Sequence, residues 1–245
     1  MHFGSFIISS VRMRENNCTL CKERFLKPPI FCRGLDFIMK SANKKLLYKL
    51  VLTAIMSAIA AVLMLPMLEI PVPIIVPPFI KFDFSDFPAL FAGLTAGPLW
   101  GVLVCLIKNL IHIPMGSTGG IGEIANFAIG AVYVLTASLI HLKMKKRSGM
   151  IVGGVAGSVA MAAFAFPVNY FIVYPAYIRL YFGGSVDGVV AQYQKIIPWI
   201  ENLPMALLIS NTPFNILKGF VLTLIAILAY LPLSPLLQKL ENKFS

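Results

Sequence analysis

Charge is what this chain has least of. Only 13% of its 245 residues are Asp, Glu, Lys or Arg, against about 25% in ordinary globular proteins, while 58% are apolar against about 45–50%. So apolar a chain is not disordered, and it has too few polar residues to clothe a soluble core. Cysteine is also scarce. Three of the four, Cys18, Cys21 and Cys32, sit near the start with only His2 beside them, a weak match to the four ligands of a zinc site. There is no G-x4-G-K-[ST] stretch, so the chain is not expected to supply its own ATPase. It also lacks HExxH, paired carboxylates and a nucleophile elbow, which disfavours an intramembrane enzyme built on Lys218 or on His112 with Glu123. The apolar stretch Phe3–Val11 has no basic region before it, which argues against a signal peptide.

What is present is a set of long uncharged runs. They cover Leu50–Leu68, Phe87–Ile107, Ile124–Leu142, Met150–Ile178 and, with Lys218 as the single charge, Pro204–Leu237. A helix needs about 20 apolar residues to cross the hydrocarbon core. The run after Phe87 is broken by Gly97-Pro98. Proline sits well in a first helical turn and badly in an interior, so this run reads as one short helix ending near Ala96 and a second beginning at Pro98. The expectation is an all-α integral membrane protein of six transmembrane helices with both termini cytoplasmic. With that topology 16 of the 21 Lys and Arg fall on the inner side, including Lys143, Lys145, Lys146 and Arg147, as the positive-inside rule requires. The basic balance is thereby explained by topology, and nucleic acid is not an expected partner.

Residues 1–38 differ from the rest and read as an extension, either cytoplasmic without packed structure or preceding a translation start at Met39. Residues 39–245 form the membrane domain.

Four features carry functional expectations. A proline-rich loop, Glu69 to Asp86, follows the first span; Pro71, Pro73, Pro77 and Pro78 forbid helix there, and it reads as a lid over a binding site or as a re-entrant connection. Asp83, Ser85 and Asp86 at its end are placed to cap the next helix. Lys108, Asn109 and His112 share helical spacing and precede a Gly-rich turn, Gly116–Gly122, with Glu123 and Asn126 beyond it. His112 and Glu123 are too few for a metal site, and Lys108 pairing with Glu123 is the plain alternative. The strongest feature is polar: Asn169 in the fifth span, and Asn211, Asn215 and Lys218 in the sixth. Asn215 and Lys218 are i, i+3 and share a face. A lysine at a helix centre costs about 2.5–3.5 kcal/mol on insertion scales and needs a partner. No carboxylate lies in any uninterrupted span, so a bound polar ligand is the natural candidate. Finally, Gly93-x3-Gly97-x3-Gly101 and Gly149-x3-Gly153-x3-Gly157 let helix backbones approach closely, as does Ala54-x3-Ala58; for the glycines packing within the chain is the expectation.

The segments Phe82–Pro98 (FDFSDFPALFAGLTAGP), Ile107–His112 (IKNLIH) and Gly122–Phe127 (GEIANF), together with the asparagines and lysine of the last two spans, resemble the riboflavin-specific substrate-binding subunits of energy-coupling factor (ECF) vitamin transporters over roughly residues 45–235. The resemblance implies a six-helix subunit of a bacterial cell membrane, with a vitamin site under the first loop and no catalysis or cofactor of its own. It implies that Asn169, Asn215 and Lys218 meet the isoalloxazine ring and that Ala54 and Ala58 dock on a transmembrane coupling subunit, itself served by two ATPase subunits. Phe79 and Tyr174 are candidates to cover the ring. Asp83, Lys108, Glu123 and Asn126 are candidates for the ribityl chain. A subunit for another vitamin, or a membrane scaffold without ligand, are the other readings.

Overall fold

Proline and glycine set where the helices stop. The computed structural model describes residues 30–116, 119–144 and 146–244; the expectations for Cys18, Cys21 and the rest of 1–29 lie outside the described residues. Residues Leu47–Lys243 form one unit, and the described residues of the other unit are helical. Helix α1 (Ile30–Leu63) ends before Pro66, earlier than the Leu68 read from the apolar run. The proline-rich segment then folds into a minimal antiparallel hairpin, β1 (Ile70–Pro71) with β2 (Lys81–Phe82), a departure from the purely helical expectation. Pro71 is tolerated because a two-strand ribbon is all edge.

The break at Gly97-Pro98 is where the sequence places it. Helix α2 (Asp86–Thr95) stops and α3 (Pro98–His112) starts, with Gly97 at φ 116° between them and Pro98 in the first turn. Helices α4 (Ile121–Met144) and α5 (Arg147–Val168) then pack along each other. A Cβ on Gly153 would lie 2.4 Å from the Ala137 carbonyl oxygen, and one on Gly157 2.9 Å from that of Tyr133. On Gly101 it would lie 2.8 Å from Gly93 Cα. These stripes hold the chain's own helices together.

The last two apolar runs share one irregularity. After α5 a π-turn, Asn169–Val173, leads into α6 (Tyr174–Tyr181); after the short α8 (Leu203–Ala206) a second, Leu207–Asn211, leads into α9 (Thr212–Phe244). Between them lies α7 (Val186–Gln194). Each π-turn closes with an N–H bonding five residues back, Tyr174 to Asn169 and Thr212 to Leu207, and each closing residue is followed by a proline, Pro175 or Pro213. A proline in a regular helix lacks the N–H and collides with the carbonyl four residues back; the extra residue of a π-turn relieves both. Both widened turns carry an asparagine, Asn169 at the head of one and Asn211 at the tail of the other.

Among the described residues four helical stretches are long and apolar enough to cross a membrane: Lys44–Leu63, Ile121–Met144, Arg147–Tyr181 and Leu203–Leu233. Helices α2 and α3, with 10 and 15 residues, span about 15 and about 22 Å, short of a full crossing. The described residues therefore hold six apolar helical segments, of which four meet the length of a span. On α1, Ala54 and Ala58 are exposed, together with Leu50, Val51, Ile55, Ile59 and Val62.

Candidate functional site

The proline-rich loop, the turn between α3 and α4, both π-turns and α6 converge on a cavity of about 730 Å³. Ligand sites run to about 300–1,000 Å³. Its apolar lining includes Phe79, Ile129, Tyr174, Tyr177 and Phe214. Its polar lining includes Asn169, Asn211, Asn215, Asn126, Glu123 and Asp83. The loop is held over this region by Ser210, whose hydroxyl donates to the Ile75 carbonyl at 2.5 Å, and the hairpin is pinned by Lys81 donating to Glu69 at 2.8 Å.

The three asparagines of the last two apolar runs differ in how far they are committed. The Asn169 side chain makes no hydrogen bond to another described residue, so both ends of its amide are open to a ligand. Asn215 donates through Nδ2 to the Asn211 carbonyl at 2.8 Å, as the i, i+4 spacing allows, and keeps its side-chain oxygen. Asn211 is tied on both sides. Its Oδ1 accepts from Tyr193 at 2.7 Å and its Nδ2 donates to Tyr174 at 3.2 Å.

Lys218 does not line the cavity. It is buried behind the cavity wall and reaches Asp83 at 2.7 Å and Asp86 at 3.0 Å. Lys108, with no exposed surface, reaches Asp86 at 2.6 Å, Asn126 at 3.4 Å and the Ser85 hydroxyl. No carboxylate lies in an uninterrupted span, but Asp83 and Asp86, outside the apolar spans, fold back 135 and 132 positions along the chain to meet Lys218, a place that the sequence alone assigns to a bound ligand. Asp83 and Asp86 are therefore not merely caps: the N-cap Ser85 side chain makes no cap bond, and Asp83 accepts from the Ser85 backbone N–H at 3.0 Å as well as from Lys218. Two carboxylates and two ammonium groups therefore neutralise each other under the loop. Burial alone would push the Asp83 carboxyl up, but Lys218 and Lys108 outweigh it and hold it below the usual carboxylate range. Gly130 leaves room for this cluster, since a Cβ there would stand 2.7 Å from Asp86 Oδ1.

Glu123 pairs with His112 Nδ1 at 3.0 Å, not with Lys108, and both line the cavity. A Cβ at Gly116 would stand 1.9 Å from Glu123 Oε1, so the glycine admits the carboxylate. Among the described residues no group of three or more His, Cys, Asp or Glu is placed to hold a metal ion.

Of the residues singled out from the sequence, Phe79, Asp83, Glu123, Asn126, Asn169, Tyr174, Asn211 and Asn215 come together on the cavity wall, whereas Lys108 and Lys218 stand behind it. Tyr177, His112 and Phe214 line it as well. Tyr177 had a signal: with Tyr174 and Tyr181 it forms an i, i+3, i+7 aromatic stripe on one helix face.

A cavity walled by aromatic rings and uncommitted amides, and sunk in an apolar helix bundle, defines a membrane-embedded binding protein. The chain belongs to the substrate-specific components of ECF transporters, whose family model matches residues 48–230. It is a multi-pass membrane protein. Among its relatives, the riboflavin transporter RibU of Staphylococcus aureus (strain TCH60) is 32% identical over 192 residues, covering 78% of this chain and 93% of that protein. The riboflavin transporter FmnP of Bacillus subtilis (strain 168) is 33% identical over 194 residues, covering 78% and 94%. A solved structure of the S component of a bacterial ECF transporter superposes with a TM-score of 0.60 at 30% identity, covering 78% of this chain and 97% of that one.

Proposed function

We propose that this chain captures riboflavin as the membrane-embedded subunit of an ECF transporter. The observation that carries the reading is the cavity itself: open amide groups at Asn169 and Asn215 facing a space bounded by Phe79, Tyr174 and Tyr177. An isoalloxazine ring is planar and largely apolar, with carbonyl and ring-nitrogen acceptors and one ring N–H along an edge. An Asn amide donates to the former and accepts from the latter. Relatives named as riboflavin transporters support the same ligand. In this reading Lys218 acts through Asp83, fixing a carboxylate of the cavity wall, and Lys108 acts through Asp86 and Asn126. Asp83, Glu123 and Asn126 serve the ribityl hydroxyls.

The short α2 and α3 complete a six-helix membrane subunit with both termini cytoplasmic, as the distribution of Lys and Arg supports. The exposed Ala54 and Ala58 form the docking surface for a transmembrane coupling subunit, and two separate ATPase subunits supply the energy. The chain itself performs no catalysis.

The test is a visible absorption and fluorescence titration of the purified full chain with riboflavin. Saturable quenching of flavin fluorescence at one equivalent supports the reading. A protein that neither carries flavin through purification nor quenches added riboflavin refutes it.

A further inference from the structure

Tyr193 lies on α7, is wholly buried, and does not reach the cavity surface. Its hydroxyl nevertheless binds two side chains that form the cavity wall. It donates to Asn211 Oδ1 at 2.7 Å, Asn211 Nδ2 donates to the Tyr174 hydroxyl at 3.2 Å, and the two tyrosine hydroxyls are bonded to each other. A phenol has a single proton. Tyr193 commits its own to Asn211, so the bond between the hydroxyls must run from Tyr174 to Tyr193. The three bonds then run head to tail around a closed ring, and both hydroxyl protons are used inside it.

This fixes what the wall offers. Asn211 retains one N–H as a donor and one carbonyl lone pair as an acceptor. Tyr174 retains a lone pair and has no proton left to give. Without the Tyr193 hydroxyl the Asn211 amide is free to turn over, with its oxygen accepting from Tyr174 and both N–H bonds released. The Tyr193 ring has a further contact, edge-on to Phe79 of the proline-rich loop at 6.4 Å and 85°. One residue behind the wall therefore touches wall residues from the loop, from α6 and from the second π-turn. Burial, and Tyr174 beside it, push the Tyr193 hydroxyl well above its ordinary value of 10.0, so its proton stays in place at any pH used for binding.

We infer that Tyr193 is a positioning residue for the ligand site: it orients the Asn211 amide, and so decides which ligand atoms that part of the wall accepts, while seating Phe79 against the same wall. The choice of riboflavin as probe rests on the function proposed above; the hydrogen-bond ring does not. The test uses the full chain in detergent with Tyr193→Phe, which keeps the ring packing and removes the hydroxyl. The side-chain amide resonance of Asn211, assigned by its loss in Asn211→Ala, is expected to shift in Tyr193→Phe without any ligand. Riboflavin affinity is expected to fall about threefold to tenfold, the factor a single hydrogen bond commands. In the Asn211→Ala background the same replacement should have no further effect.

An unshifted resonance overturns the ring whatever the protein binds. A shifted resonance with equal affinity losses in both backgrounds overturns the positioning role. Should Tyr193→Phe fail to fold, Tyr174→Phe removes another member of the ring, and an unshifted Asn211 resonance there overturns the proposal equally. A wild-type chain that does not bind riboflavin refutes the proposed function and leaves the resonance experiment to decide the ring.

Discussion

Two polar clusters stand within the same apolar bundle, and they are built on opposite principles. The one under the loop is ionic: Asp83 and Asp86 against Lys108 and Lys218, all buried and matched in charge. The one beside the cavity is neutral: Tyr174, Tyr193 and Asn211, with Asn215 and Asn169 beyond. Charges taken from water are costly unless paired, so the ionic cluster has to be complete before a ligand arrives. Neutral amides cost less to leave partly unpaired, and that is the property a binding surface needs. The ionic cluster therefore bears on whether the loop end folds, and the amides on what binds there.

Breaking the ionic cluster should have the largest effect. Lys218→Met leaves two buried carboxylates with one ammonium group. Removing one partner of a buried ion pair typically costs about 3–5 kcal/mol. The thermal unfolding midpoint in detergent should fall by many degrees, and Asp83→Asn in the same chain should restore most of it. A variant as stable as the wild type would show that the lysine is paired elsewhere and would return it to direct ligand contact, the role the resemblance implies.

The asparagines sharpen the contrast at a smaller scale. The Asn169 side chain makes no hydrogen bond to another described residue, so Asn169→Ala should leave stability unchanged and weaken riboflavin binding about threefold to tenfold, as one lost hydrogen bond does. Asn211→Ala takes one partner from each of two buried tyrosine hydroxyls, leaving them only each other, and should lower both quantities, costing about 1–3 kcal/mol in stability. Unfolding and flavin titration of the two variants side by side would separate the roles. Equal losses of stability would remove the distinction between them.

What the sequence discloses follows from the range of each signal. Gly97-Pro98 acts within one helical turn, and its break stands where it was read. Lys218 is conspicuous because its own surroundings are apolar. Its partners are not legible, because they lie 135 and 132 positions away in a loop whose path only the fold decides. The carboxylates looked like caps for the same reason: capping is local, ion pairing is not. The loop read as irregular, yet two residues on each side pair as strands, a length below any periodicity. Tyr193 gave no sign at all, since a tyrosine in a polar stretch looks like surface until α7 folds inward.

The smallest expected effect is also the most specific to the ionic cluster. Asp83 lies in the loop, outside the four spanning stretches, and its carboxyl is held below its ordinary value of 3.8 by Lys218 and Lys108 against the opposing pull of burial. A carboxyl whose folded value is depressed contributes stability above its unfolded value, and that contribution is lost only as pH falls below about 3.9 toward the folded value. In the wild type, therefore, Asp83 contributes no slope between pH 8 and pH 5. In Lys218→Met its closest counter-charge is gone, burial acts with less opposition, and the folded value moves upward. A carboxyl raised above its unfolded value destabilises the fold at high pH and less so as it becomes protonated. The variant should then gain stability on acidification from pH 8 to pH 5 relative to the wild type, by about 1.4 kcal/mol for each unit that the folded value lies above the unfolded one within that window. His112 and Glu123, which pair on the cavity wall, are common to both chains and cancel in the difference between the two unfolding curves. Parallel curves over that window would mean that Lys108 alone keeps Asp83 ionised, and the cluster would then be a triad with Lys218 at its edge.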